Sequence, residues 1–307
     1  MLQDIVQQNH ATGINNSMST KTHVIYNLRV DQDGEIAASR GEGFSQEEYS
    51  KFKHGDERIA RKYGRKVANL LLKKEPMLFD SEERDNVLLA PFAYKYVPTA
   101  AANMSVHIVN TLNHSLSMQQ IPSVGSLHVY KYTYDPSIEH WFATRPLDER
   151  EAILSKISLT MDSSRVEGRN LIVVDDIHIT GASQRKFLEL LNQLSLKSLI
   201  VIFLCKMRAS DAKNPGIEGV LNHKKVKYIK DLYEIAAAGA LKWNIRVVKF
   251  ILESSDHMSV ETFLSCLTDE LLESFYYATI ANDYHFEEKY KMNLHIARSL
   301  VTKRGLI

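Results

Sequence analysis

The stretch from Val173 to Ser183, VVDDIHITGAS, constrains this chain more than any other. An apolar run ends in two adjacent acids, Asp175 and Asp176, and a small polar turn follows four residues later. Neighbouring carboxylates repel each other, and burying either one without a partner is costly. Their position at the end of a buried strand therefore indicates partners such as vicinal hydroxyls, a divalent metal ion, or both.

The turn Thr180-Gly181-Ala182-Ser183 complements these acids chemically and leads into a predicted helix. Small residues let backbone N–H groups approach an anion, and the dipole of the helix adds partial positive charge. The hydroxyls of Thr180 and Ser183 can donate further hydrogen bonds. One loop thus offers a phosphate cradle at one end and acceptors for hydroxyls at the other, which is the polarity of a ribose 5-phosphate.

The same stretch lies within a series of alternating strands and helices. Apolar runs predict strands at VLLAPF, SLHVYKYTY, NLIVVDD and SLIVIFLCK, and helices are predicted at TAAANMSVHIVNTLN, DEREAILSKI and ASQRKFLELLNQL. Such alternation predicts an α/β domain with a mostly parallel sheet flanked by helices. Ligands of such sheets bind beyond the carboxyl ends of the strands, which is where the two acids fall.

Other segments predict the remaining architecture. THVIYNLRVDQDGEIAASRG indicates a hairpin around Asp31 to Gly34. A helical region runs from Ser45, the predicted N-cap with Glu48 closing a capping box, to about Lys74. We expect a flexible N-terminus over residues 1–20, an α/β domain with the hairpin as a hood over 21–216, and a helical C-terminal region over 217–307.

Composition, charge and the two cysteines limit the classes of protein to which the chain can belong. The formal net charge is +1, with 44% hydrophobic and 24% charged residues, which is ordinary for a soluble globular protein. This charge gives no reason to expect non-specific nucleic-acid binding by the whole molecule. No apolar run approaches the roughly 20 residues of a membrane span, and the first residues lack signal-peptide features. Cys205 and Cys266 lie in apolar settings that suit reduced thiols, so we expect a cytoplasmic protein.

The segment LIVVDDIHITGAS resembles the 5-phosphoribosyl-1-pyrophosphate (PRPP) signature of type I phosphoribosyltransferases. That signature is an apolar strand, two acids, a few mostly apolar residues and Thr-Gly-x-Thr or Ser. The resemblance implies that Asp175 and Asp176 bind the ribose hydroxyls, with Mg²⁺ bridging these hydroxyls and the diphosphate. It also implies that Thr180, Gly181, Ala182 and Ser183 bind the 5-phosphate. His178 is a candidate for the pocket lining.

Two other classes of site also place acids after a strand, but this sequence matches their patterns less well. A Walker B strand would need a G-x-x-x-x-G-K-[ST] loop, which the chain lacks. A haloacid-dehalogenase-like site would need D-x-D, and Asp176-Ile177-His178 breaks that pattern.

The resemblance implies two further loops. Phe92 to Pro98, after the first core strand, corresponds to the pyrophosphate loop, although its two tyrosines depart from the small residues usual in the family. The polar interval Asp135 to Gly168 corresponds to a mobile lid that excludes water. Four residues are the candidates for diphosphate contacts: Lys95, Tyr96, Lys131 and Arg145. The alternative is that the tyrosines pack and the basic side chains are solvated surface charges.

Three patches together resemble the ComF-like phosphoribosyltransferases of bacterial tellurite-resistance, stress and conflict gene clusters. They are YSKFKHGDERIARKYG, PFAYKYVPTA and VDDIHITGAS. Some defence systems, including retrons, also use phosphoribosyltransferase-like effectors, so the resemblance implies that the base substrate is unusual. Lys53 and Asp56, in the first patch, either reach the site or cap and solvate a helix.

The resemblance implies Mg²⁺-dependent transfer of 5-phosphoribosyl between pyrophosphate and a nucleobase-like nucleophile, with a stress or defence role, or nucleotide hydrolysis if water attacks. The alternative is a non-catalytic subunit that senses PRPP or a nucleotide and works through a protein or nucleic-acid partner. A homodimer is the family's usual arrangement.

The C-terminal region divides by charge. Residues 224–250 carry seven Lys and Arg against two acids, and residues 251–290 carry nine acids against one Lys. These segments either pair with each other within the chain, are simply solvated, or form a docking surface for a partner or nucleic acid.

Overall fold

A central six-stranded sheet organises the computed structural model, which describes residues 20–39, 43–79, 86–133, 156–213 and 216–307. The strands in chain order are β1 (Thr20–Val30), β2 (Ile36–Ala38), β3 (Val87–Pro91), β4 (Gly125–Ser126), β5 (Tyr130–Thr133), β6 (Ile157–Thr160), β7 (Asn170–His178) and β8 (Ser198–Met207). The central order is β2-β1-β8-β7-β3-β4, whereas β5 and β6 form a separate antiparallel pair. Within the central sheet β1 and β2 pair antiparallel, and the other pairings are parallel.

Helices cover this sheet and build the C-terminal region. In chain order they are α1 (Gln46–Lys53), α2 (Glu57–Lys74), α3 (Ala100–Ser117), α4 (Ala182–Leu191), α5 (Ile217–Asn222), α6 (Tyr233–Ala237), α7 (Ile245–Leu252), α8 (His257–Ser265), α9 (Asp269–Ala281) and α10 (Lys291–Lys303). The predicted α/β architecture and the helical C-terminal region are therefore confirmed. In the part of the chain described, no helix is both long and apolar enough to span a bilayer.

The apolar runs predicted as strands form β3, β7 and β8, which are buried over most of their length because both faces of the sheet are covered. SLHVYKYTY, predicted as one strand, divides between β4 and β5. Leu127 and Val129 turn into the core, whereas Tyr130 and Tyr132 stay exposed, so the chain leaves the central sheet between them. The predicted helix over residues 148–157 lies outside the described ranges except at its end, where Ile157 begins β6.

The predicted hairpin forms around a turn in which Gly34 adopts φ = 80°. Its first strand also pairs in parallel with β8, from Thr20 opposite Leu199 to Leu28 opposite Met207. The hairpin thus extends the central sheet instead of forming a separate layer, and its turn lies at the carboxyl edge. Whether it acts as a hood over a base stays a prediction.

The helical region predicted from Ser45 to Lys74 is broken into α1 and α2. Ser45 caps α1 as predicted, because its Oγ accepts from the backbone N–H of Glu48 at 3.2 Å. The break comes at Gly55, whose φ is 88° and whose added Cβ would lie 2.3 Å from the carbonyl oxygen of Lys242. Gly55 in the left-handed conformation therefore ends α1 as a C-terminal cap: its N–H donates to the carbonyl of Phe52 at 3.1 Å, and the N–H of Asp56 donates to that of Lys51 at 3.0 Å. The approach of Lys242 leaves no room for a side chain at this glycine.

Three apolar clusters hold the molecule together. Ile172 and Val174 of β7 belong to the cluster under α1, α2 and α3, whereas Val173 packs with Phe187 of α4. A third cluster lies within the C-terminal region and begins at Val226. It also takes in Val97 from the loop after β3, and this contact joins the C-terminal region to the carboxyl edge of the sheet.

The basic segment of the C-terminal region forms ion pairs outside the acidic segment. Three of its side chains pair with acids of the hairpin, α2 and α5: Lys224 with Glu35, Lys242 with Glu57, and Arg246 with Glu218. These three residues thus pair within the chain, but their partners are not the acids of residues 251–290. The reason is the fold, which lays the basic segment against the α/β part.

Candidate functional site

The carboxyl ends of β3 and β7 meet at one edge of the sheet. The N–H of Phe92, just beyond β3, donates to the carbonyl of Val174 at 3.0 Å. The loop after β3 and the turn after β7 therefore start side by side. This is the arrangement in which parallel sheets bind ligands.

A cavity of about 60 Å³ lies at the end of β7. Its lining residues come from β7, the following turn, β8 and α5: Asp175, Ile177, His178, Ile179, Thr180, Gly181, Ala182, Ser183, Gln184, Phe203 and Glu218. The structure thus brings the predicted phosphate turn together with one of the two acids, and places His178 in the lining.

Gly181 shapes the turn. It is the N-cap residue of α4 with φ = 73°, and a Cβ there would lie 3.0 Å from Nε2 of His178. Both the left-handed backbone and the close ring require glycine. Having no side chain, Gly181 cannot itself cap the first turn of α4, and the nearest side-chain acceptor, Oγ1 of Thr180, lies 3.5 Å from the N–H nitrogen of Ala182.

Asp176 does not line this cavity. It is buried, and its carboxylate forms an ion pair with the ammonium of Lys53 at the end of α1. Lys53 also lies 3.7 Å from Oε1 of Glu218. Burial by itself would lower the pKa of Lys53, but the charges of Asp176 and Glu218 outweigh it and raise that pKa. Lys53 therefore reaches the site, whereas Asp56 caps α2 by accepting from the N–H of Arg58 at 3.0 Å.

Asp175, unlike Asp176, lines the cavity. Its Oδ1 accepts from the backbone N–H of Asp176 at 2.9 Å. Burial, and then the negative charge of Asp176, raise its pKa well above the ordinary value for Asp. A hydrogen-bond donor or a cation placed in the cavity would favour the ionised form of Asp175. The arrangement therefore suits ligand hydroxyls or a metal ion carried with the ligand.

The loop from Phe92 to Pro98 is anchored to the C-terminal region. Lys95 forms an ion pair with Asp283, and Oδ1 of Asn282 accepts from the N–H groups of Tyr96 at 3.2 Å and Val97 at 2.9 Å. The Tyr96 ring is 61% exposed. Lys95 is therefore not a plain solvated charge, although its contact with a diphosphate stays a prediction.

Lys131, another predicted diphosphate contact, lies beside this loop. Lys131 is on β5, and its backbone N–H donates to the carbonyl of Tyr94 at 3.1 Å. The Tyr94 ring stacks on His128 with centroids 4.1 Å apart, so the packing alternative holds for this tyrosine. Residues 135–155 of the predicted lid, with Arg145 among them, lie outside the described residues.

Two parts of this site were missed from the sequence. Glu218 lines the cavity from α5, and Asn282 holds the loop from the end of α9. Neither lies in a recognisable motif, because only the tertiary fold brings them to the sheet edge. Within the described ranges, no group of three or more His, Cys, Asp and Glu side chains is arranged to hold a metal ion.

Comparison with known proteins gives one family. The sequence model of a family described as "PRTase ComF-like", the ComF-like phosphoribosyltransferases, matches residues 34–297. No curated protein matches the chain.

Among solved structures, a hypoxanthine phosphoribosyltransferase from Staphylococcus aureus is similar at 13% identity and a TM-score of 0.33, covering 51% of this chain and 67% of that one. The hypoxanthine phosphoribosyltransferase from Trypanosoma cruzi in complex with the product IMP is similar at 16% identity and a TM-score of 0.31, with 49% and 68% covered.

Proposed function

The chain belongs to the ComF-like phosphoribosyltransferase family, and on that premise we propose that it binds PRPP and transfers its 5-phosphoribosyl group to a nucleobase-like nucleophile. One observation carries the proposal: Asp175 and the turn Thr180 to Ser183 line a single cavity at the carboxyl edge of a parallel sheet. An acid and an anion-binding turn at this spacing match the two ends of a ribose 5-phosphate.

The proposed roles follow from the chemistry of each group. The N–H groups and hydroxyls of Thr180 to Ser183 bind the 5-phosphate at the N-terminus of α4. Asp175 orients the ribose by accepting from its hydroxyls, and Asp176, which pairs with Lys53 behind the cavity, contributes negative charge to the end of β7. Positive charge developing at the anomeric carbon lies close to these carboxylates and is stabilised by them. No covalent intermediate with the protein is needed, because alignment and electrostatics lower the barrier.

Magnesium fits the donor chemistry of the cavity. Asp175 and Glu218 both line it, and carboxylate oxygens are the ligands that Mg²⁺ prefers, together with substrate phosphates and water. Of the two acids at the end of β7, Asp175 is the one that would hold a PRPP-carried Mg²⁺, directly or through the ribose hydroxyls, whereas Asp176, paired with Lys53, would act on the ion only indirectly. When bound, the ion would neutralise charge on the departing diphosphate. Lys95, Tyr96, Lys131 and Arg145 are proposed to assist from the loops.

The deciding experiment compares the wild-type protein with the double variant Asp175→Asn/Asp176→Asn. Calorimetric titration with PRPP and Mg²⁺ should show binding to the wild type and not to the variant, because the variant has no carboxylate at the end of β7. Pyrophosphate release should then be screened with a panel of nucleobases. Asp269→Asn/Glu270→Gln, which removes two adjacent acids at the start of α9, is the matched control and should behave as the wild type.

A double variant that folds, binds PRPP and turns over as the wild type does would exclude the proposed function. Folding is checked by circular dichroism, because Asp176→Asn, although isosteric, leaves the buried Lys53 with only Glu218 as a nearby counter-charge. Toxicity of the wild-type chain on overexpression, lost in the double variant, would favour a stress or defence effector that consumes nucleotides over ordinary salvage.

A second function, the sensing of PRPP or a nucleotide without catalysis, is favoured by one observation. Asn282 and Asp283 of the C-terminal region hold the loop from Phe92 to Pro98, so a ligand at that loop would act directly on the C-terminal helices. A sensor binds PRPP without releasing pyrophosphate for any base or for water, and passes the signal to a protein or nucleic-acid partner. Binding with turnover would reject it.

A further inference from the structure

Glu218 stands at the cavity although it lies outside the PRPP signature. It is on α5, 35 positions beyond Ser183 in the chain, and it lines the same cavity as Asp175 and the turn Thr180 to Ser183. Its side chain is 17% exposed. The acids that line the cavity are therefore Asp175 and Glu218, whereas Asp176 is engaged with Lys53.

Two cations hold Glu218 in position. Its Oε1 lies 3.7 Å from Nζ of Lys53 and 3.7 Å from the guanidinium of Arg246 on α7. Lys53 bridges it to Asp176, with 10% of the Lys53 side chain exposed. These partly sheltered ion pairs are less screened than pairs at the surface, so they favour the position of the Glu218 carboxylate beside the cavity before any ligand arrives.

We propose that Glu218 is a further ligand-binding residue of the phosphoribosyl site, which accepts a hydrogen bond from a ribose hydroxyl or coordinates the cation carried by PRPP. The inference rests on the proposed function. Asp175 and Glu218 present two carboxylates to the ligand from different elements, β7 and α5. The site is thus completed by the segment that leads into the C-terminal region, so a change in that region reaches the ligand through Glu218.

The test is calorimetric titration of Glu218→Gln with two probes, PRPP with Mg²⁺ and inorganic phosphate alone. Loss of a charged hydrogen bond should weaken PRPP binding by about tenfold to a hundredfold. Inorganic phosphate, which needs only the turn Thr180 to Ser183, should bind as tightly as to the wild type or more tightly, because a nearby negative charge is gone. Glu234→Gln is the matched control, since Glu234 pairs with Lys51 of α1 away from the cavity.

Weaker PRPP binding with phosphate binding retained supports the inference. Equal weakening for both probes would mean that Glu218 only maintains the shape of the cavity, and unchanged PRPP binding would mean that it does not meet the ligand. Either result overturns the inference while the proposed function stands. If the wild-type protein binds no PRPP, the proposed function fails and the inference fails with it.

Discussion

The ammonium of Lys53 and the carboxylate of Asp176 form an ion pair in the interior, with 10% and 9% of the two side chains exposed. These residues are 123 positions apart in the chain. Their contact fixes α1 against the end of β7. Removing one member of such a pair leaves an uncompensated buried charge, which costs far more than the loss of an exposed ion pair.

We expect Lys53→Met to lower the free energy of unfolding by about 3 to 5 kcal/mol. Urea unfolding monitored by circular dichroism measures this loss. Lys53→Met/Asp176→Asn should recover most of it, because no charge is then stranded.

Lys51→Met serves as the control in the same helix. Its partner Glu234 has a side chain that is 58% exposed, so the loss should be within about 1 kcal/mol. If Lys51→Met and Lys53→Met lowered the free energy of unfolding equally, removing one member of the buried ion pair would cost no more than removing one member of the exposed pair.

A second prediction concerns the break between α1 and α2. Gly55→Ala should destabilise the protein strongly, because the new Cβ would lie 2.3 Å from the carbonyl oxygen of Lys242 in addition to the strain at φ = 88°. Gly34→Ala isolates the strain, since Gly34 has φ = 80° with nothing within 4 Å of an added Cβ. In thermal unfolding, we expect Gly34→Ala to lower the stability of the protein by about 1 to 2 kcal/mol and Gly55→Ala to lower it clearly more. Equal losses would exclude the steric contact.

Local patterns predicted the parts of the site that are built by a continuous segment. The strand that carries Asp175, the tight turn at Gly181 and the start of α4 all lie within β7 and the residues directly after it. Hydrophobic continuity indicates a buried strand, and small residues beside hydroxyls indicate an anion-binding turn. The cap at Ser45 was predictable for the same reason, because its bond to Glu48 spans three residues.

Tertiary contacts determine the rest, and local patterns carry no information about them. Nothing around Glu218 or Asn282 indicates that these side chains reach the carboxyl edge of the sheet. The break between α1 and α2 is different, because Gly55 is a local signal for the end of a helix, which the apolar periodicity from Ser45 to Lys74 masked when it predicted one helical region. The sequence also left open whether Lys53 reaches the site or is solvated on its helix, because the answer depends on how α1 packs against β7.

A third prediction concerns the anchor of the loop after β3. Oδ1 of Asn282 accepts from the N–H groups of Tyr96 and Val97, and the residue is 8% exposed. Asn282→Ala should leave the buried N–H of Val97 without its acceptor, at a cost of about 1 to 3 kcal/mol. Hydrogen exchange at the Val97 amide should accelerate. Asn282→Asp keeps an acceptor oxygen and should retain the protection, whereas equal exchange in all three proteins would contradict the anchor.

A fourth prediction concerns the pH dependence of stability, through the buried ring of His54. Its Nδ1–H donates to the carbonyl of Ser50 at 2.9 Å. Burial, together with the positive charges of Arg246, His223 and Lys53, lowers its pKa from 6.5 to about 3. Between these values the unfolded chain binds a proton that the folded protein does not. The contribution of His54 is therefore complete above about pH 6.5 and is lost as the pH falls towards 3, with a slope of up to about 1.4 kcal/mol per pH unit.

The variant His54→Asn isolates this contribution, since an amide can still donate to Ser50 but does not titrate in this range. Other histidines with lowered pKa values, including His178 and His223, titrate in both proteins and cancel in the comparison. Urea unfolding between pH 5 and 7 should give a steeper rise of stability with pH for the wild type than for the variant. Parallel curves would mean that the folded protein takes up a proton at His54 as readily as the unfolded chain does.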